Sequence, residues 1–199
     1  MKKEELPETE YSDSVFEGLE LKGRVLDSRK FYGCVFRNCE LTGAAFRNCR
    51  FSDCRFETCN LSLVKFPGSS FSSVSFKDSK LAGIDWTKAA WPRIKLPAPL
   101  NFENCVLSDA CFQGLPLRES RIAGCYAKGA DFQDADLSRS DLGNTDFTGA
   151  LFGGTDLSGA DLSSARNYAI SVAGNKVKGA KFSLPEALAL LYCLDVEII

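Results

Sequence analysis

The 199-residue chain contains no histidine. That removes the commonest general acid–base side chain, the base of a Ser–His–Asp triad and the nitrogen ligands of mixed Cys/His zinc sites. No run of about 18 apolar residues occurs, so no membrane-spanning helix is expected. Residues 1–10 are charged and lack the apolar stretch of a signal peptide; the expected location is cytoplasmic. A glycine-rich phosphate loop between a strand and a helix is also missing. Gly153-Gly154 and the scattered glycines read as turn formers. These absences leave acid–base and nucleophilic chemistry little to work with, so the chain reads as a non-enzyme with no cofactor and no metal. Its 24 basic and 26 acidic residues give a net charge of only −2, and 45% of residues are apolar, an ordinary globular composition with enough apolar side chains for one core.

What is present is a period of five. Positions 16, 21, 26 and onward to 96 give 17 sites, and every one holds Phe, Leu or Trp. A second phase from Phe102 to Leu162 gives 13 sites, of which only Ile122 and Ala127 depart from Phe or Leu. A weaker continuation through Val172, Val177 and Phe182 places all 15 phenylalanines on this lattice. Two residues before each large site sits a mostly small one, such as Cys34, Cys39, Ala44, Cys49 and, later, Ala130, Ala135, Ser140 and Thr145. Five residues match neither a helix nor a plain strand, and short self-similar units with an apolar anchor describe a solenoid. Two inward and three outward side chains per unit suit a square coil in which each unit forms one side. Phe36, Phe56 and Phe76 then form one column and Phe112, Phe132 and Phe152 another, about 4.8 Å apart per coil. Phe16 to Phe182 makes about 8 such coils, a rod roughly 40 Å long.

Seven of the nine cysteines, at 34, 39, 49, 54, 59, 105 and 125, fall on the small inward site. They are expected to be buried small hydrophobes, since spacings of five and ten match no zinc pattern. Cys111 and Cys193 lie off that site and are the expected reactive thiols. Between Leu96 and Phe102 the phase slips by one residue, within Pro97, Ala98 and Pro99. Proline belongs where strand pairing is interrupted, so a bulge or small outward loop is expected at 97–99, and a long projecting loop is not. Arg24 and Arg29 occupy nominally inward sites, which fits a regular structure starting nearer Phe31.

Residues 183–199 read differently. Ser183 and Glu186 have the spacing of a capping box before a helix. Leu184, Leu188 and Leu191 share one face, Leu190 and Leu194 widen it, and Asp195 to Ile199 alternates as a short extended tail. Covering the open end of the solenoid is one use for this surface, and a two-fold dimer through Leu184, Leu188, Leu191, Leu194 and Ile198 is the other. The expected organisation is an N-terminal segment 1–15, disordered or capping, a solenoid 16–182 and a C-terminal helix and tail 183–199.

Charge is uneven along the chain. Arg29 to Leu96 carries 12 basic against 5 acidic residues, whereas Gly129 to Ala165 carries 7 aspartates and one arginine. Asp131, Asp136, Asp141, Asp146, Asp156 and Asp161 each precede a large inward residue and should point outward. The acidic stretch spans roughly 9 Å of rod, over which duplex DNA carries about five phosphate charges. At any single position an aspartate also suits the turn, because its carboxylate can accept from nearby main-chain N–H groups.

The repeat resembles that of the pentapeptide-repeat family, which implies an all-β, right-handed quadrilateral β-helix. Cys59–Leu63 (CNLSL), Asp85-Trp86, Trp91-Pro92, Phe102–Cys105 (FENC), Phe182–Ala187 (FSLPEA) and Leu194–Glu197 resemble most the family's albicidin-resistance branch (AlbG type). The Qnr, McbG and MfpA types are similar less closely. The likeness runs from about residue 30 to the C-terminus. It implies a homodimer joined through the C-terminal helices and a DNA-like rod that engages DNA gyrase, a type II topoisomerase; the local acid density of this chain makes the six aspartates the expected contact surface. Protection from, or modulation of, gyrase-directed toxins or antibiotics would be the outcome. Neither membrane association nor direct nucleic-acid binding is expected. A general interaction scaffold with another partner is the alternative.

Overall fold

The computed structural model describes residues 6–92, 99–192 and 194. The chain winds as a parallel β-solenoid of about eight turns with one short C-terminal helix. Each side is a short strand or a single bridge, paired with the equivalent side of the next coil: Phe16 with Phe36, Phe36 with Phe56, Phe56 with Phe76. The longest sheet holds six strands, from Val15–Glu17 to Ile122–Ala123.

The columns form because large side chains recur at the same corner of every coil. Phe36 and Phe56 are fully buried, with ring centroids 4.5 Å apart and planes within 4°. Phe112 stacks on Phe132 at 5.0 Å and Phe132 on Phe152 at 5.5 Å. Neighbouring columns meet edge to face, as in Phe31 against Phe36 at 5.4 Å. Stacked and T-shaped pairs are the favoured ring geometries, so the shaft is filled by aromatic contacts in both directions.

The small inward site follows a second rule. Where the turn closes on itself, its N–H bonds the carbonyl three residues back, as Ala44 does to Leu41 (2.9 Å) and Ala130 to Ala127 (3.1 Å). Alanine then suffices. Along one corner the N–H instead reaches a side chain in the next coil. Cys39 N donates to Cys59 Sγ (3.4 Å), Cys59 N to Ser79 Oγ (3.0 Å), Cys105 N to Cys125 Sγ (3.4 Å) and Cys125 N to Thr145 Oγ1 (3.2 Å). A buried N–H needs an acceptor, and a thiol or hydroxyl supplies one. All seven inward cysteines are buried and free. Burial pushes the Cys54 thiol up to about 12.

Three expectations are corrected. Strand Glu10–Ser12 already pairs with Lys30–Tyr32, and Tyr11, 6% exposed, stacks on Phe31 at 5.5 Å. The solenoid therefore starts before Phe16, and Arg24 (exposed) and Arg29 (half-buried) lie at its first coil, beside an opening lined by Leu6, Pro7 and Leu21. At the phase break the register passes from Phe76 to Phe102 and from Asp85 to Cys111, steps of 26. The register therefore gains six residues at the break, not one. Trp91 still stacks over Phe71, one coil earlier, and pairing resumes at Leu100; Leu96, Pro97 and Ala98 of the expected slip are outside the described residues. Finally, Ser183 and Glu186 do not cap the helix. The 3-10 turn Glu186–Leu188 follows Pro185 without a side-chain cap and leads into helix Ala189–Tyr192. Ser183 Oγ instead accepts from Ser164 N (3.1 Å) and Glu186 Oε2 from Asn167 N (3.2 Å), tying the helix to the last full coil.

Candidate functional site

All six aspartates stand in the ladder immediately before a column residue; Asp131, Asp136, Asp141, Asp156 and Asp161 are half-buried, whereas Asp146, which the sequence places outward with the others, is buried. Each first serves its own turn. Oδ1 accepts from the main-chain N–H two residues on, at 2.9 Å for Asp131, 3.2 Å for Asp136, 3.0 Å for Asp141, Asp146 and Asp156, and 2.9 Å for Asp161. Aspartate is selected here by the backbone, since an acceptor at this spacing replaces a missing main-chain bond.

The second oxygen is used across coils. Asp146 Oδ2 lies 3.0 Å from Arg166 Nε, Asp156 Oδ2 3.3 Å from Lys176 Nζ and Asp161 Oδ2 3.4 Å from Lys181 Nζ. Asp141 pairs with Arg121. Every one of these partners belongs to an adjacent coil, in the ladder position above or below. Asp131 has Cys111 and Leu151 as its ladder neighbours, and Asp136 sits between Pro116 and Asp156. Over residues 121–181 the chain carries 7 acidic and 7 basic residues. The surplus that the linear stretch suggests is therefore matched by cations in the flanking coils. Arg121, Arg166, Lys176 and Lys181 are the residues that sequence reasoning missed, and the coil period is the signal that would have found them.

Three of these carboxyls are held below the usual carboxylate range. For Asp146, burial alone would raise the value, but hydrogen bonds from Thr148, Asn167 and Arg166 outweigh it. For Asp156 burial is likewise outweighed by Ser158 and Lys176. Ser163 and Lys181 lower Asp161. These three stay ionised at neutral pH, and the wall offers carboxylates in a turn-locked geometry.

The other candidate surface is the C-terminal end. Leu184 is 78% exposed, and Leu188, Leu191 and Leu194 are exposed beside it. Val172, Val177 and Phe182, the inward residues of the last coil, are only half-buried. Ile198 and Cys193 lie outside the described residues. Among the described residues no group of three or more acidic, Cys or His side chains is arranged to hold a metal, and no helix is long and apolar enough to cross a membrane.

A square parallel solenoid built on five-residue units defines a class, and the comparisons place the chain in it. The family model "Pentapeptide repeat region" matches residues 29–98 and the model "Pentapeptide repeats (8 copies)" matches residues 130–166. Together they cover more than half of the chain, which belongs to the pentapeptide-repeat family. Among solved structures, a trypsin-treated form of QnrB1, described as a plasmid-mediated fluoroquinolone resistance protein, is similar at 20% identity. The match covers 96% of this chain and 97% of that one with a TM-score of 0.70. Full-length QnrB1 is similar at 19% identity, covering 94% and 100%, with a TM-score of 0.54. At these identities the likeness is one of fold. A comparison with curated protein sequences finds no match.

Proposed function

We propose that the chain is a non-enzymatic binding rod that engages DNA gyrase, or a related type II topoisomerase, as a DNA mimic. It thereby protects the enzyme from, or modulates its response to, gyrase-directed toxins or antibiotics. The observation that carries this reading is the ladder of turn-locked carboxylates on the wall of a rod whose fold matches QnrB1 end to end. Asp136 over Asp156 and Asp141 over Asp161 repeat at the strand spacing of about 4.8 Å. The exposed leucines at 184, 188, 191 and 194 support a homodimer joined at the C-terminal ends. Such a dimer brings the two aspartate walls towards the centre of a double-length rod.

One observation favours the second reading, a general interaction scaffold. Asp141, Asp146, Asp156 and Asp161 already hold a cation, and a mimic must exchange those pairs for cations of its partner. Pairs as open as Arg121–Asp141 and Lys181–Asp161 are worth about 0–1 kcal/mol each, so their exchange is inexpensive but gains little per pair, whereas buried Asp146 keeps its cation. Gyrase supercoiling with a gyrase poison, with and without the purified protein, tests the proposal. Protection or inhibition at micromolar protein, weakened by Asp131→Lys with Asp136→Lys, is the expected result. No effect on supercoiling or poisoning at that concentration removes the topoisomerase reading and leaves the scaffold.

A further inference from the structure

Leu63 breaks a rule that its own column keeps. The corresponding turn positions one coil apart are Gly23, Gly43, Leu63, Gly83, Asp109, Gly129 and Gly149, all with φ between 56° and 68°. Leucine in this left-handed region is strained, glycine is not, and aspartate tolerates it better. The side chain stays outside the core, 59% exposed. It leans over Gly83, with Cδ2 2.7 Å from where a Cβ on that residue would be, whereas the space beside Gly43 is open to 4 Å. Other turns of the solenoid also hold non-glycine residues at positive φ, Thr58, Glu119 and Arg139 among them, but among the described residues Leu63 is the one apolar side chain placed there. A large apolar side chain held exposed in a strained turn is a reason to look for a function at that position.

Next to Leu63 the wall opens into a cavity of about 510 Å³, lined by Gly43, Leu63, Lys65, Pro67, Asp85 and Lys88 among others. That volume lies in the range of small-molecule sites. Lys65 is exposed and has no ion pair among the described residues, whereas Lys88 sits 3.6 Å from Asp85. Asp85 is further occupied by the N–H of Thr87. Two ammonium groups against one carboxylate leave the rim with one net positive charge, and the floor and the Leu63 flank are apolar.

We propose that this cavity binds a small amphipathic carboxylate, with an aryl or branched-alkyl body against Leu63 and Pro67 and its carboxylate on Lys65 and Lys88. Asp85, at the cavity's edge, is separated from Asp131 by two ladder steps through Cys111, and the site does not depend on the topoisomerase reading. Binding covers the exposed leucine and gives Lys65 a counter-charge.

4-Phenylbutyrate is the probe, titrated into the full chain and followed by NMR, with 4-phenylbutan-1-ol as the neutral control. A ligand of this size binds at about millimolar affinity. The alcohol is expected to bind at least about fivefold more weakly, and Leu63→Gly and Lys65→Glu about tenfold more weakly than wild type. Leu63→Gly restores the residue the column otherwise prefers, so its thermal midpoint should equal or exceed that of wild type. Absence of saturable binding by the wild type overturns the proposal. So does equal affinity of the acid for Leu63→Gly, equal affinity of the alcohol for wild type, or a marked destabilisation by Leu63→Gly, which would make Leu63 a structural residue.

Discussion

Phe36 offers the sharpest test of the stacked shaft. Its ring is fully buried and touches Phe16 at 4.8 Å, Phe56 at 4.5 Å and Phe31 at 5.4 Å. Phe36→Ala removes that ring from the middle of a column in which the coils above and below are fixed by their own ladders, so the gap cannot collapse. Large-to-small changes at such sites cost about 3–5 kcal/mol, of which each lost ring pair accounts for about 0.5–1.5 kcal/mol. For a chain of this size that lowers the thermal midpoint by about 2–4 °C per kcal/mol. Phe36→Leu should cost about 1 kcal/mol, because Leu142 and Leu162 occupy the same column farther along. Phe182→Ala, at the half-buried end of that column, should cost less than half as much as Phe36→Ala. Urea unfolding of the three variants, followed by circular dichroism, measures the series. A cost below about 1 kcal/mol for Phe36→Ala, or an equal cost at Phe182, would refute the idea that side chains one coil apart support one another.

Four further predictions concern the wall, the thiols and the end. Asp146 is 8% exposed and holds Thr148, Arg166 and Asn167; Asp146→Ala should cost about 1–3 kcal/mol. Because its folded-state pKa is depressed, its contribution is complete above the ordinary carboxylate value near 4 and is lost as pH falls below it, so wild-type stability should drop there more steeply than that of the variant. Cys59→Ser should be nearly neutral, since Ser79 fills the same role one coil on, whereas Cys59→Ala leaves the Cys39 N–H without its acceptor and should cost about 1–2 kcal/mol by denaturant unfolding. In native protein the seven inward thiols should resist a disulfide reagent while half-buried Cys111 reacts before them. If the proposed C-terminal dimer forms, wild type should sediment as a dimer and Leu188→Arg combined with Leu191→Arg as a monomer with an unchanged circular dichroism spectrum; a monomeric wild type, or a variant of unchanged mass, removes that dimer.

The columns were legible because the period of five and the restriction to Phe, Leu and Trp leave little freedom in how the coil is drawn. Leu6 and Tyr11 are in phase with Phe16, so the earlier start was also written in the chain; Tyr11 lay outside a count built on Phe, Leu and Trp. The number of residues added before Leu100 could not be read from phase alone, since six residues and one residue shift a five-residue lattice identically. The phase of Leu96 follows from that ambiguity. The pairing of the aspartates was not legible for a different reason. A linear window sums neighbours along the chain, whereas Arg166 meets Asp146 and Lys181 meets Asp161 one coil apart. The apparent capping box misled because Ser183 and Glu186 find unpaired N–H groups at Ser164 and Asn167 in the coil beneath them, a tertiary contact that local spacing does not encode.

The most direct test of the functional account is competition for one surface. Purified gyrase, immobilised, is exposed to this protein with and without a duplex DNA long enough to fill its DNA-binding saddle. A DNA mimic predicts binding that DNA abolishes and that weakens when Asp131 and Asp136 are reversed in charge. Binding that persists unchanged on DNA-saturated gyrase, or no binding at all, would contradict it.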